Sequence, residues 1–146
     1  MTKTKRSIDI LLVEDNPGDI RLIQEALREH QLSHQLYIVN DGDQALAFLH
    51  QKPPHQQAPR PDIILLDLDL PKMDGMQLLK SVKQHKILRS IPVVVLTNSD
   101  AEQDINDAYA HYANAYVLKS ANLDRFVHTI EIITGFWLNT VQLPPD

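Results

Sequence analysis

The chain has 146 residues, no cysteine, 43% hydrophobic and 23% charged residues, and a net charge of −5. That length supports one domain with a sizeable core, and the lack of cysteine excludes disulfides, thiolate metal sites and cysteine nucleophiles. The acidic balance argues against nucleic acid, which needs a basic footprint.

The amino end, MTKTKRSIDILLVEDN, turns from basic to apolar as a signal peptide does. Its apolar run, Ile8 to Val13, is broken by Asp9 and closed by Glu14 and Asp15, too short for export. No stretch approaches the apolar length of a membrane span. The expectation is a soluble, cytoplasmic protein with a solvated basic tail and no membrane partner.

Short aliphatic runs then alternate with amphipathic ones. IDILLV (8–13), LYIV (36–39), DIILLD (62–67), IPVVVLT (91–97) and AYVLK (115–119) read as five strands. Three of these are almost continuously apolar, as parallel strands covered on both faces are. Residues 17–30 place Ile20, Ile23 and Leu27 on one helical stripe, and residues 75–86 do the same with Met76, Leu79 and Val82. Asn16-Pro17 reads as an N-cap and first helical residue, Asp74-Gly75 as another helix start, and Ser99 with Glu102 as a capping box. Residues 51–61 form a proline-rich loop, and no internal repeat is present. Strict alternation of strand and helix gives a doubly wound α/β sheet, whose ligands gather at the carboxyl ends of the strands.

Those ends carry chemistry. The first strand closes on Glu14-Asp15, the third on Asp67, the fourth on Thr97 and the fifth on Lys119. A parallel sheet brings all five to one edge. Three clustered carboxylates repel one another, and a hard divalent cation such as Mg²⁺ relieves that. A carboxylate can also attack phosphorus, with a metal ion and an ammonium group neutralising the transferring oxygens. Thr97 could then bond to the attached phosphoryl group, giving a two-state switch.

Taken singly, each residue has an ordinary reading. Asp67 could cap a helix, Thr97 could be a plain strand end, Tyr116 a half-buried strand aromatic and Lys119 a solvated lysine. Together, LLVEDNPGD, IILLDLDLPKMDG, VVVLTNSD and AYVLKS resemble the receiver domain of two-component response regulators, over about residues 7–135. The separations fit as well, with 30 positions from Asp67 to Thr97 and 22 from Thr97 to Lys119. The resemblance implies a flavodoxin-like, five-stranded parallel sheet in the order 2-1-3-4-5 with five helices. It implies Asp67 as acceptor of a phosphoryl group from a histidine kinase, with Asp15, Asp67 and the backbone carbonyl of Asp69 as Mg²⁺ ligands. Glu14 would act through bound water, Thr97 and Lys119 would hold the phosphoryl oxygens, and Tyr116 would be the aromatic that swings inward on activation. The Asp69 side chain would tune dephosphorylation.

Two positions depart from the family pattern: Asn98 where a small residue is usual, and Ser120 where proline is common. KSANLDRF, TGFW and the long proline-rich loop resemble a narrower group, the single-domain response regulators that partner phytochromes. On this reading the chain is one receiver domain, residues 1–146, with a tail from 136 and output through protein contacts.

The last segment, NLDRFVHTIEIITGFWLNTVQLPPD, is apolar on more than one face. One stripe suits the sheet; Ile132, Phe136, Trp137 and Leu138 suit a homodimer interface. The alternative is a tail folded back on its own domain. Seven histidines, at 30, 34, 50, 55, 85, 111 and 128, read as surface residues and not as a metal site. Two competing functions stay open. DLDLP also resembles the nucleophile motif of haloacid-dehalogenase-type phosphatases, which would turn over p-nitrophenyl phosphate, and a receiver-shaped module could bind partners without ever being phosphorylated.

Overall fold

The structure of the chain, a computed structural model, describes residues 7–28, 34–70, 73–119 and 122–136. In chain order the elements are β1 (Ile8–Val13), α1 (Pro17–Arg28), β2 (His34–Val39), α2 (Gly42–Leu49), β3 (Ile63–Asp67) and α3 (Gly75–Gln84). A 3₁₀ turn (Leu88–Ser90) leads into β4 (Val93–Thr97), α4 (Glu102–Ala110), β5 (Ala115–Leu118) and α5 (Leu123–Gly135). The strands form one sheet in the order β2-β1-β3-β4-β5, with every neighbouring pair parallel. This is the expected flavodoxin-like order, with the order reversing at β1 and β3.

Alternation along the strands divides the core in two. Leu11, Val13, Ile64, Leu66, Val93 and Val95 face Phe48, Leu79, Val82 and Ala108 on the α2–α3–α4 side. Ile10, Leu12, Ile63, Leu65, Val94 and Leu96 face Ile23, Leu27, Phe126 and Ile130 on the α1–α5 side. Both faces of the central strands are therefore sealed, and each such side chain contributes about 1.5–3 kcal/mol by leaving water. That burial is why the central strands read as unbroken apolar runs.

Several boundaries differ from the sequence reading. β2 begins two residues earlier, at His34, because its pairing with β1 runs back to Ile8. β3 begins at Ile63; Asp62 instead accepts a hydrogen bond from the Asp9 backbone N–H at 2.9 Å. Asn16 does cap α1, accepting from Asp19 N at 3.0 Å, and Asp74 caps α3, accepting from Gln77 N at 2.9 Å. The capping box at Ser99 and Glu102 does not form. α4 starts at Glu102 after Ala101, and the Ser99 hydroxyl instead accepts from Ala101 N and donates to Asp104. Histidines also do more than face water: His85 Nδ1 accepts from Ile87 N and Leu88 N, at 3.1 and 3.2 Å, and closes the turn after α3. His30 lies outside the described residues, so it and His34 share no described helix face.

Candidate functional site at the carboxyl edge

Strand register sets the level of each functional residue. Val13 pairs with Leu66, Asp67 with Leu96, and Thr97 with Leu118, so Glu14, Asp67, Thr97 and Lys119 all emerge within one step of the same edge. Side-chain parity then sorts them by face. Glu14 follows Ile10 and Leu12, Asp67 follows Ile63 and Leu65, and Lys119 follows Val117, all on the α1–α5 side. Thr97 follows Val93 and Val95 on the opposite side, where Tyr116 also packs.

The ionic group assembles accordingly. Lys119 Nζ lies 2.8 Å from Glu14 Oε1, 2.9 Å from Asp19 Oδ2 and 3.5 Å from Asp67 Oδ1. Glu14 is 0% exposed and Asp67 2%, while the Lys119 side chain is 8% exposed. Lys119 is tied to the sheet through its own N–H, which donates to Thr97 O at 2.7 Å. Burial alone would lower the lysine, but the close carboxylates of Glu14 and Asp19 and the charge of Asp67 outweigh it and raise the ammonium above its usual range. Burial pushes Glu14 up to about 7, with Lys119 opposing and Asp67 adding to the rise.

Asp67 Oδ1 accepts from Asp69 N at 3.0 Å, which curls the loop after β3 over the carboxylate. The loop sits on Gly75: a Cβ there would come within 2.4 Å of Leu68 Cα and 2.5 Å of Asp67 O. Only a residue without a side chain lets the start of α3 come this close, and Gly75 N donates to Leu68 O at 3.0 Å.

The carboxylates of Glu14, Asp15 and Asp67 offer oxygens within 4.8 Å of one another. All the donors are hard oxygens, Asp15 is exposed and reachable, and Glu14 Oε1 is buried beside Lys119 without an aligned hydrogen bond. Such a set fits a divalent cation of the Mg²⁺ or Mn²⁺ kind.

On the other face Thr97 is 1% exposed, and its hydroxyl accepts from Ser99 N at 3.1 Å. Tyr116 is half-buried and its hydroxyl donates to Ser99 O at 2.8 Å. One residue of the β4–α4 loop is thus held by both. The sequence reading places Glu14, Asp15, Asp67, Thr97, Tyr116 and Lys119 at this edge, and the structure brings them together. It misses Asp19, which lies three residues after the Asn16 cap, one turn into α1 and above the same edge. Asn98 is exposed beside the site, and Ser120 lies outside the described residues.

The model of the response regulator receiver domain matches residues 10–131. The chain belongs to that family. Response regulator Rcp1 of Synechocystis sp. is 47% identical over 135 residues, 92% of each chain. The crystal structure of Mn²⁺-bound Rcp1 superposes with a TM-score of 0.92 at 46% identity, covering 94% of this chain and 99% of that one. The phosphorylated cyanobacterial phytochrome response regulator RcpA superposes with a TM-score of 0.93 at 46% identity, covering 96% and 100%. The receiver is therefore related to response regulators of phytochromes, and its acidic cluster fits the divalent-metal binding of receiver domains.

Proposed function

We propose that Asp67 accepts a phosphoryl group from the phosphohistidine of a kinase, and that the chain signals through the resulting change at Thr97 and Tyr116. The observation that carries this is the placement of Asp67: a buried carboxylate with one oxygen tied by Asp69 N, facing Lys119 and grouped with Glu14 and Asp15. Asp15, Asp67 and the Asp69 backbone carbonyl would hold Mg²⁺, with Glu14 reaching it through water. Bound there, the ion supplies neutralisation of charge on the transferring oxygens. Lys119 aids by the same electrostatics from the α1 side, and Thr97 donates its hydroxyl to a phosphoryl oxygen from the other face.

Rotation of the Thr97 side chain toward that oxygen would carry its hydroxyl away from Ser99 N, loosening the β4–α4 loop that Tyr116 also holds. A charge event on one face is so read out as a loop movement on the other. The site suits self-limited phosphorylation and not substrate turnover: the phosphoryl group is held on the protein, and slow hydrolysis returns it. The likeness to RcpA, a phytochrome response regulator by name, supports a phytochrome as the kinase. A cytoplasmic location fits such a partner, and no helix among the described residues is long and apolar enough to cross a membrane.

Incubation with Mg²⁺ and acetyl phosphate, followed by intact-mass measurement, tests the acceptor. The wild type should gain one phosphoryl group and Asp67→Asn none; gain by the variant, or turnover of p-nitrophenyl phosphate, would instead favour another acceptor or a phosphatase.

A homodimer through the last helix belongs to the same proposal. On α5, Phe126 and Ile130 are buried against the sheet, whereas Ile132 is 58% and Phe136 46% exposed. Trp137 and Leu138, which complete the expected patch, lie outside the described residues. Light scattering at micromolar concentration should give twice the chain mass, and a monomer with and without a phosphoryl mimic would sink the dimer.

A further inference from the structure

We propose that Asp19 is a positioning residue for Lys119, its carboxylate competing with incoming phosphoryl oxygens for the ammonium group and so restraining phosphorylation of Asp67. The inference rests on Asp67 being the acceptor. An ammonium group has three donors. Here its nitrogen lies closest to Glu14 Oε1 and Asp19 Oδ2, at 2.8 and 2.9 Å, while Asp67 Oδ1 stands farther off at 3.5 Å. Drawing the ammonium group toward a phosphoryl oxygen on Asp67 takes it away from at least one of its two nearer carboxylates.

The surroundings decide which one yields. Glu14 is fully buried, and its second oxygen is fixed by Asn16 N at 3.2 Å, so stranding it without a cation is costly. The Asp19 side chain is 24% exposed, and it sits in the first turn of α1, where water and the positive helix end both stabilise a free carboxylate. Asp19 is the partner that can release the ammonium. Until it does, its charge also offsets that of Lys119 and weakens the field met by an approaching phosphoryl donor. In the reaction itself an Asp67 oxygen forms the new bond to phosphorus. The bond from phosphorus to the acetyl oxygen breaks, and acetate leaves with the electron pair; no proton changes hands.

The test compares four proteins: wild type, Asp19→Asn, Asp19→Glu, and Glu25→Gln as a charge-matched change elsewhere on α1. Initial rates with acetyl phosphate and Mg²⁺ are read by intact mass, and beryllofluoride affinity is read by calorimetry. In metal-free protein the nitrogen resonance of the Lys119 ammonium reports which groups hold it. Removal of a competing, partly screened charge should raise the Asp19→Asn rate and beryllofluoride affinity about fivefold and move the Lys119 resonance. Asp19→Glu, which keeps a carboxylate, should stay near wild type, as should Glu25→Gln. An Asp19→Asn protein at or below the wild-type rate overturns the proposal, and so does equal acceleration by Glu25→Gln. A wild type that gains no phosphoryl group instead overturns the reading of Asp67, and the competition with it.

Discussion

At the carboxyl edge of the sheet Lys119 lies among three carboxylates; at the amino edge Lys83 lies among three neutral oxygens. Lys83 Nζ donates to Ile91 O at 2.7 Å and to Arg89 O and Asn114 Oδ1, each at 3.1 Å. Asn114 in turn accepts from Val93 N at 2.8 Å, which joins the starts of β4 and β5. Burial pushes Lys83 down to about 8, whereas the anions around Lys119 hold it up. The amino edge closes helix ends and strand starts with groups that satisfy one another. Among the described residues, the carboxyl edge gathers more negative charge than Lys119 can neutralise. A fold selected for stability alone would not keep that excess, so the imbalance marks where the chemistry is.

Breaking the carboxyl edge should have the largest effect. Lys119→Met removes the cation from between buried carboxylates and should lower stability by about 3–5 kcal/mol in metal-free buffer. Urea unfolding checks this, and Mg²⁺ should restore part of the loss. Gly75→Ala comes next: a methyl group pressed on the Asp67–Leu68 backbone should cost about 1–3 kcal/mol. The same variant should phosphorylate more slowly, since the loop over Asp67 must shift.

Lys83→Met sharpens the contrast. It should cost only about 1 kcal/mol, the order of a net hydrogen bond, and leave phosphorylation intact. It should also change the pH dependence. The folded value of about 8 lies below the roughly 10.4 of an unfolded lysine. Between the two, the unfolded chain binds more protons, so stability from this group rises with pH, and below about 8 it is flat. The difference in urea midpoint between wild type and Lys83→Met should therefore grow from pH 7.5 to 9.5. The smallest effect is at Tyr112. It follows the His111 cap of α4 at φ 71°, with its N–H on Tyr109 O and the next on Ala108 O. Tyr112→Gly should relieve the left-handed backbone and raise stability by about 0.5–1 kcal/mol in the same assay.

The two edges also differ in how far the sequence reveals them. Apolar runs that end in charge place β1 and β3, the run that ends in Thr97 places β4, and with Lys119 they give nearly the whole ionic site. Their signal is strong because burial forbids substitutes. Asp19 escapes because nothing in its local pattern separates it from an ordinary first-turn acid; its role comes from how α1 lies across the edge. Ser99 misleads because α4 starts only at Glu102, after an extended Ala101. α2 and α4 end in left-handed Gln51 and Tyr112, at φ 55° and 71°, where glycine would have announced the turn. Backbone hydrogen bonds hold those turns, and such bonds leave no mark on residue type.

The excess negative charge at Glu14, Asp15 and Asp67 is kept for a divalent cation. Thermal unfolding over a Mg²⁺ titration tests it most directly, with the Asp15→Asn/Asp67→Asn double variant beside the wild type. The wild type should gain stability along a saturating curve, and the double variant should start more stable and respond little. A wild type indifferent to Mg²⁺, or a double variant that gains as much, would contradict the claim.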